Sequence, residues 1–548
     1  LNLDGINFKG KSDSEVIPYL YKKFDIGFLK KLKGMFSIAI YDTKKRRLVL
    51  ARDRFGIKPL FFSFKKNHLF FSSELNSFKH FPIIDLEPNE QSIFDFVGLS
   101  YIPAPNTFYK NIANLEPGYF IDAYKMNDQI TYKKEKFNKW DIQINERLSY
   151  GECIEKTELL INDSVKRQLE SDVPLGSLLS GGIDSSLVSE VASTHINDNS
   201  LNTYNVKFSD EEYDETWAAL IVANSINSKH DTLINNQNSA NLDFIFDMLL
   251  HAGQPFADTS IFPLSAISKV ISEHMTVVLS GDGGDEGFAG YRLYGHLLRL
   301  ASLKRIPQIF WDSINVLSKT LYRHQLITSS FSNNFSEFAN ADNTKMIQNM
   351  FCYIRESEHN SLFNNKYYKP VRRYFEKKWK YSHNISEHQI QDLISHATEV
   401  NLRLKLPNDY LFKVDTASMK NSIEVRVPML DEDLINFSLS IPYNHKLKNN
   451  QPKSILRTLA KKKLPLKIAN KPKMGFGIPI DTWISKDGRK TIYDLLMHES
   501  KVIPEILNKK KYSKWLEAFR DRTALRGVSR EGVYNRVIIL LALHLYID

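Results

Sequence analysis

Ser180-Gly181-Gly182-Ile183-Asp184-Ser185-Ser186 is the stretch whose reading decides the fold of this chain. It follows a short apolar run at residues 175–179. It opens a segment with apolar residues at helical spacing, namely Ile183, Leu187, Val188, Val191 and Ala192. A buried strand, a glycine turn and an amphipathic helix are therefore predicted in that order. Two glycines let the backbone come close to an anion, and the free N–H groups and dipole of the helix start favour negative charge there. Ser180, Ser185 and Ser186 add hydroxyl donors. Asp184 would repel a phosphate unless a cation lies between them, so its presence predicts Mg2+. The bland alternative is a junction that merely needs glycines and an N-cap.

Working outward, the alternation continues. Residues 203–208 alternate like a strand, 216–226 read as a helix, 231–234 as a third strand and 275–279 as another. Strand and helix in this order argue for a parallel sheet with helices on both faces. The last of these strands runs into Ser280-Gly281-Asp282-Gly283-Gly284-Asp285-Glu286, followed by Gly290-Tyr291. In a parallel sheet both glycine turns emerge at the same edge, where ligands bind. Two carboxylate-bearing loops at one nucleotide site can hold Mg2+ and act on a reacting carboxylate or amine.

The length of 548 residues suggests two or three domains. Residues 1 to about 140 read as strand-rich, with apolar or β-branched runs at 36–41, 47–51, 60–64 and 69–72. The polar stretch 127–143 is expected to be a linker, and 300–400 is helix-prone without a readable motif. Gly5-Ile6-Asn7-Phe8-Lys9-Gly10-Lys11-Ser12 matches a Walker A string, but the four residues before it are too few for a buried strand and Pro18 falls early in the supposed helix. It is read as a chance match. The 73 Lys and Arg outnumber the 63 Asp and Glu, for a net charge of +10. They form no basic stripe interleaved with aromatics, so small anionic substrates are expected rather than nucleic acid. Cys153 and Cys352 have no metal or disulfide spacing, and no apolar run reaches transmembrane length; a cytoplasmic protein with no membrane partner is expected.

The first glycine loop resembles the pyrophosphate loop of the ATP pyrophosphatases, which cleave ATP between its α- and β-phosphates. Together with the second loop, Gln254-Pro255-Phe256-Ala257-Asp258-Thr259-Ser260, Leu406-Pro407-Asn408-Asp409, Lys413-Val414-Asp415-Thr416-Ala417-Ser418-Met419, the strings at 424–431 and 453–457, and Lys473-Met474-Gly475-Phe476, it resembles the synthetase domain of glutamine-hydrolysing asparagine synthetases. Ser12-Asp13-Ser14-Glu15, Gly34-Met35-Phe36, the run 52–60 and Ser72-Ser73-Glu74-Leu75 resemble the later part of a class II glutaminase domain. The fold implied is α/β: a partial N-terminal nucleophile-type glutaminase layer in 1–140, then a parallel-sheet ATP pyrophosphatase domain, adenine nucleotide alpha hydrolase-like, with a helical C-terminal extension in 150–548. The reaction implied is carboxylate plus ATP to acyl-AMP plus pyrophosphate, then attack of ammonia to give the amide. Aspartate is the expected acceptor, with ATP and Mg2+ required and glutamine or ammonia as nitrogen source. A sugar uronate, a peptide carboxylate, or a non-catalytic nucleotide-binding remnant stay open at this stage, as does a homodimer.

Residue by residue, the resemblance implies that Ser180, Gly181, Gly182, Asp184, Ser185 and Ser186 grip the pyrophosphate. Leu179, Val206, Ser280 and Gly281 would contact the adenosine, and Asp184 and Asp285 would bind Mg2+. Lys473 would neutralise charge building on the phosphates, from a loop that Gly475 and Gly477 make mobile. Asp282 stands where several relatives carry Glu, implicated in forming the intermediate, and Lys471 where relatives often have Arg. Asp13 would contact the glutamine amine. Class II glutaminases use an N-terminal Cys as nucleophile. Cys153 and Cys352 both follow the glutaminase region, so the front of that domain is expected to be missing and this polypeptide to use free ammonia.

Overall fold

The computed structural model describes residues 8–10, 12–138, 142–196, 201–207, 214–234, 242–303, 313–314, 316–318, 320–321, 347, 351–364, 369, 387–472 and 483–548. Its contacts separate two compact units, Leu1–Glu87 with Ala104–Asp141, and Pro88–Pro103 with Ile142–Asp548. The helix Glu90–Leu99 thus packs with the second unit although it lies within the first 140 residues.

In the first unit, aromatic and β-branched runs become antiparallel strands: β1 (Ser37–Asp42), β2 (Arg47–Arg52), β3 (Phe61–Lys65), β4 (His68–Ser72), β5 (Ala113–Asn114), β6 (Tyr119–Met126) and β7 (Gln129–Lys136). They form two sheets, ordered β1-β2-β6-β7 and β4-β3-β5. The expected linker at 127–143 is corrected here, because β7 pairs with β6 along its whole length. Asn127 and Asp128 turn the hairpin with φ of 47° and 59°, values that Asn and Asp tolerate better than most residues. The polar composition of β7 is that of an outer strand facing water. The Arg52–Leu60 segment proves architectural. Buried Asp53 accepts the N–H groups of Phe36, Phe55, Ile57 and Lys58, while the Arg52 guanidinium donates to the carbonyls of Gly56, Lys58 and Leu115.

The second unit is built on a five-stranded parallel sheet, β8 (Leu175–Leu178), β9 (Asn202–Lys207), β10 (Lys229–Ile234), β11 (Val277–Leu279) and β12 (Glu424–Arg426), in the order β10-β9-β8-β11-β12. Helices α1 (Tyr150–Gln168), α2 (Ile183–His195) and α3 (Thr216–Ser225) contribute to its core with α4 (Ser454–Lys463). A capping box starts α1: the Ser149 hydroxyl accepts from the Glu152 N–H, and the Glu152 carboxylate accepts from the Ser149 N–H. Another helix, α5 (Arg530–Ile547), has residues Val533 to Leu543 all buried. Strand order runs outward from β8 through β9 to β10, then resumes on the other side of β8 with β11. The chain therefore changes direction between β8 and β11, and the crevice at such a switch point is where open parallel sheets bind ligands. The two glycine loops leave the sheet at these two strands.

Candidate active site

The first loop starts from buried Leu179, whose N–H donates to the Tyr204 carbonyl at 2.8 Å. Gly181 takes φ +68°, and a Cβ there would lie 2.7 Å from the Ala218 carbonyl carbon, so this turn needs glycine twice over. The hydroxyls of Ser180 and Ser185 share a hydrogen bond of 3.0 Å across the turn. Gly182 is the N-cap of α2 and supplies no side-chain cap, so the N–H groups of the first helical turn are a donor set for an anion.

The second loop folds over the first. The Ser280 hydroxyl donates to Asp282 Oδ2 at 2.6 Å and accepts the Asp282 N–H at 3.2 Å. A Cβ on Gly281 would overlap the Ser185 nitrogen and lie 2.8 Å from Asp184 Cβ. One on Gly284 would lie 2.5 Å from Asp184 Oδ1. The missing side chains let the Asp184 carboxylate sit against the second loop beside Asp285. Both carboxylates converge on one ammonium, that of Lys453, which donates to Asp184 and forms an ion pair with Asp285 Oδ1 at 2.7 Å. Burial disfavours the charged Lys453, but the two aspartates more than reverse this and hold its pKa above the ordinary lysine value. Lys453 opens the 453–457 string, and nothing in that string alone assigns it a role. A lysine that starts a helix carries no local signal of the partners it finds in space.

These groups face a cavity of about 880 Å³ in the second unit. A separate part of its wall carries Asp258, Ser260 and Lys413, again within strings quoted without roles. Lys413 donates to Asp258 Oδ2 at 2.8 Å and to the Ser260 hydroxyl at 2.7 Å, while the Ser260 O–H and N–H donate to Asp258 Oδ1 at 2.6 and 2.9 Å. Burial would raise the Asp258 pKa, yet Lys413 and Ser260 hold it well below the usual carboxylate range. Burial likewise pulls Lys413 down, and Asp258 with Asp409 carries it back above its ordinary value. Burial, helped by neighbouring Asp285, pushes Glu286 up to about 7. It accepts a hydrogen bond from Tyr291, whose ring stacks on Tyr410 with centroids 5.8 Å apart. Burial raises Asp409 to about 6 against the opposing charge of Lys405, 2.6 Å away.

Of the residues expected at the site, Ser180, Gly182, Asp184, Ser185, Ser280, Gly281, Asp282 and Asp285 line this cavity together. Leu179 and Ser186 are buried beside the first loop, at 1% and 0% exposure, and Gly181 lies against Ala218. Val206 is on β9, paired with Leu233, and is not part of the cavity wall. Lys473, with Gly475 and Gly477, lies outside the described residues. Lys471 is buried, paired with Glu215 and 5.5 Å from the Trp217 ring centroid. Asp13 begins a short turn (Asp13–Glu15) in the first unit and is exposed. Burial pushes the thiols of Cys153 and Cys352 up to about 11 and about 12, the opposite of nucleophile activation. Among the described residues no cluster of three or more His, Cys, Asp or Glu could hold a metal by itself, and no helix is long and apolar enough to cross a membrane.

A parallel sheet with a serine-rich and an acid-rich loop at its switch point is a nucleotide-activating architecture, and comparison with known proteins agrees. Residues 156–544 match the asparagine synthase family, and residues 1–137 match the glutamine amidotransferase domain. The chain is 28% identical to asparagine synthetase [glutamine-hydrolyzing] 1 of Bacillus subtilis over 501 residues, 90% of this chain and 76% of that protein. It is 28% identical to a putative asparagine synthetase [glutamine-hydrolyzing] of Mycobacterium tuberculosis over 498 residues, 88% and 72% of the two chains. A putative asparagine synthetase [glutamine-hydrolyzing] 2 of Methanocaldococcus jannaschii is 31% identical over 305 residues, 54% of this chain and 57% of that protein. Loops, sheet order and sequence agree: the chain belongs to the asparagine synthase family, whose members are ATP-dependent ligases that amidate a carboxylate.

Proposed function

We propose that this chain activates the side-chain carboxylate of L-aspartate as β-aspartyl-AMP and converts it with ammonia to L-asparagine, releasing AMP and pyrophosphate. The observation that carries this reading is the sharing of one cavity by the serine loop, the acid loop and the Asp258–Lys413 pair. An acceptor carboxylate oxygen bonds to the α-phosphorus while the bond from that phosphorus to the bridging oxygen breaks, and pyrophosphate leaves. Ser180, Ser185 and the first-turn N–H groups of α2 bind the departing phosphates, and the Lys453 ammonium offsets their charge. Ammonia then attacks the acyl carbon, AMP leaves, and the extra proton passes to the acidic wall or to water. Lys473 is assigned to the same phosphates as a charge-neutralising residue.

The residues present fit Mg2+. Asp184 and Asp285 already converge on a cation position, and two carboxylates completed by substrate phosphates and waters suit this ion. When bound, it would neutralise phosphate charge and polarise the α-phosphorus. Aspartate is supported by the names of the relatives and by Asp258–Lys413, which offers one charge of each sign to a zwitterion. Glutamine as the source of the ammonia is supported by the match of residues 1–137 to the glutamine amidotransferase domain and by the names of the relatives.

The test is ATP–pyrophosphate exchange as a function of added carboxylate, with ¹⁸O in the aspartate side chain. Aspartate-dependent exchange is expected, and once ammonia is added one ¹⁸O should be delivered to each AMP released. Exchange that ignores aspartate and answers to a uronate or a peptide carboxylate would replace the acceptor. ATP binding without exchange for any carboxylate would make the chain a nucleotide-binding remnant.

A further inference from the structure

The cavity wall beside Asp258 contains a directed hydrogen-bond relay that comes from three distant parts of the chain. The Thr259 hydroxyl donates to Asn535 Oδ1 at 3.3 Å, and Asn535 Nδ2 donates to the Tyr353 phenol oxygen at 2.5 Å. All three residues line the cavity. Its members are held in place from outside the relay. The N–H groups of Tyr353 and Ile354 both donate to the Gly98 carbonyl, at 2.8 and 3.1 Å. Asn535 is only 4% exposed, and the next residue on α5, Arg536, is clamped by both oxygens of Glu358 at 2.9 and 2.6 Å.

The direction of the relay decides what Tyr353 can do. In the structure the Asn535 amide turns its oxygen toward the Thr259 hydroxyl and its nitrogen toward Tyr353. The Tyr353 oxygen therefore accepts, and its own proton must be donated elsewhere. Among the described residues nothing accepts it, and the ring is 37% exposed. Burial and the nearby Asp258 hold the phenol pKa well above its ordinary value, so the proton is retained at any working pH. An oriented O–H at a cavity wall selects for an oxygen acceptor on the ligand and against an N–H donor.

We propose that Tyr353, aimed by Asn535 and Thr259, is a specificity-determining residue that donates a hydrogen bond to an oxygen-bearing group of the acceptor other than the carboxylate that is adenylated. This rests on the amidation reading above. The carboxylate that is adenylated must lie against the loops at the ends of β8 and β11, and Tyr353 belongs to neither. It therefore reads the other end of the molecule.

The experiment is Tyr353→Phe, which removes one oxygen, assayed by acceptor-dependent ATP–pyrophosphate exchange with aspartate and with a monocarboxylate analogue of the same length. Sites that hydrogen-bond a substrate oxygen lose heavily when the bond is removed, so the aspartate KM is expected to rise about 10- to 100-fold. The KM for ATP should move less than about twofold, and the monocarboxylate should be used equally poorly by both proteins. Thr259→Val, which frees the amide to flip, should give a smaller rise of the same kind and replaces the first variant if that one fails to fold. An unchanged aspartate KM in a folded variant, or an ATP KM that rises in step, overturns the role of Tyr353 and leaves the amidation reading standing. Wild-type protein that exchanges pyrophosphate with no carboxylate overturns both.

Discussion

Lys446 and Lys453 stand seven residues apart, both buried at 5% and 6% exposure, and their electrostatic fates are opposite. Lys446 ends a short helix (Tyr443–Lys446), and burial drives its pKa down to about 7, opposed only weakly by Cys153. Lys453 meets the same burial, yet Asp184 and Asp285 push its pKa above that of a free lysine. Burial alone disfavours an ammonium, while two carboxylates within hydrogen-bond reach make it the preferred form. The difference lies in glycines. Gly281, Gly284 and Gly290 remove the side chains that would keep Asp184, Asp285 and Lys453 apart. A charged lysine at the phosphate loops is a product of that packing, and the contrast with Lys446 can be broken from either side.

The largest effect is expected from removing both counter-charges. Asp184→Asn combined with Asp285→Asn would put Lys453 in the condition of Lys446, buried and unopposed. ATP–pyrophosphate exchange should fall by about 10²–10³-fold or more, since preorganised charge at the phosphates is lost. Leaving a buried charge without its partner also costs ~3–5 kcal/mol of stability. Exchange kinetics and calorimetry read the two consequences separately. Exchange within tenfold of wild type would mean that these carboxylates do not organise the ATP site.

Lys453→Met approaches the pair from the other side, with a drop in exchange of about 10–10²-fold expected. Two carboxylates are then left facing each other with no cation between them. Millimolar Mg2+ should raise the thermal midpoint of this variant more than that of wild type, because the ammonium no longer competes for the same oxygens. Equal shifts in the two proteins would show that Asp184 and Asp285 are not a metal site.

The nucleotide side of the cavity was largely legible in the sequence because its chemistry is contiguous. Ser180 to Ser186 and Ser280 to Glu286 each follow one strand, and strand, turn and helix periodicities alone put both loops at one sheet edge. The acceptor side was not. Asp258, Tyr353, Lys413 and Asn535 come from four segments with no shared motif, and only tertiary packing brings them together. The role of Lys453 is hidden in the sequence for the same reason. The misread stretch at 127–143 failed differently. An outer strand such as β7 offers only Ile130 and Tyr132 as an apolar face, with Tyr132 against Phe62 and Phe64, and Lys133 to Lys136 are all charged, so the periodicity that marks a strand is cut short and Asn127-Asp128 is the clearer signal of the hairpin.

The smallest expected effect on catalysis, and the sharpest test of the comparison, is Lys446→Met. Lys446 does not line the cavity, so exchange should stay within about twofold of wild type. Stability should change with pH in a defined direction. Below about 7 the folded and unfolded chains both carry the charge, and the cost of burying it is complete. Between about 7 and the ordinary lysine value of 10.5, the unfolded chain binds a proton that the folded chain lacks, so wild-type stability rises with pH across that window. Methionine has nearly the same length and no proton, and it removes both the cost and the slope. The variant should be more stable than wild type by ~2–4 kcal/mol at pH 6, with the advantage shrinking toward pH 10. Chemical denaturation at several pH values would read this directly. A gap between the two proteins that does not change with pH would place the Lys446 ammonium in contact with water, and the contrast with Lys453 would then be one of exposure and not of counter-charge.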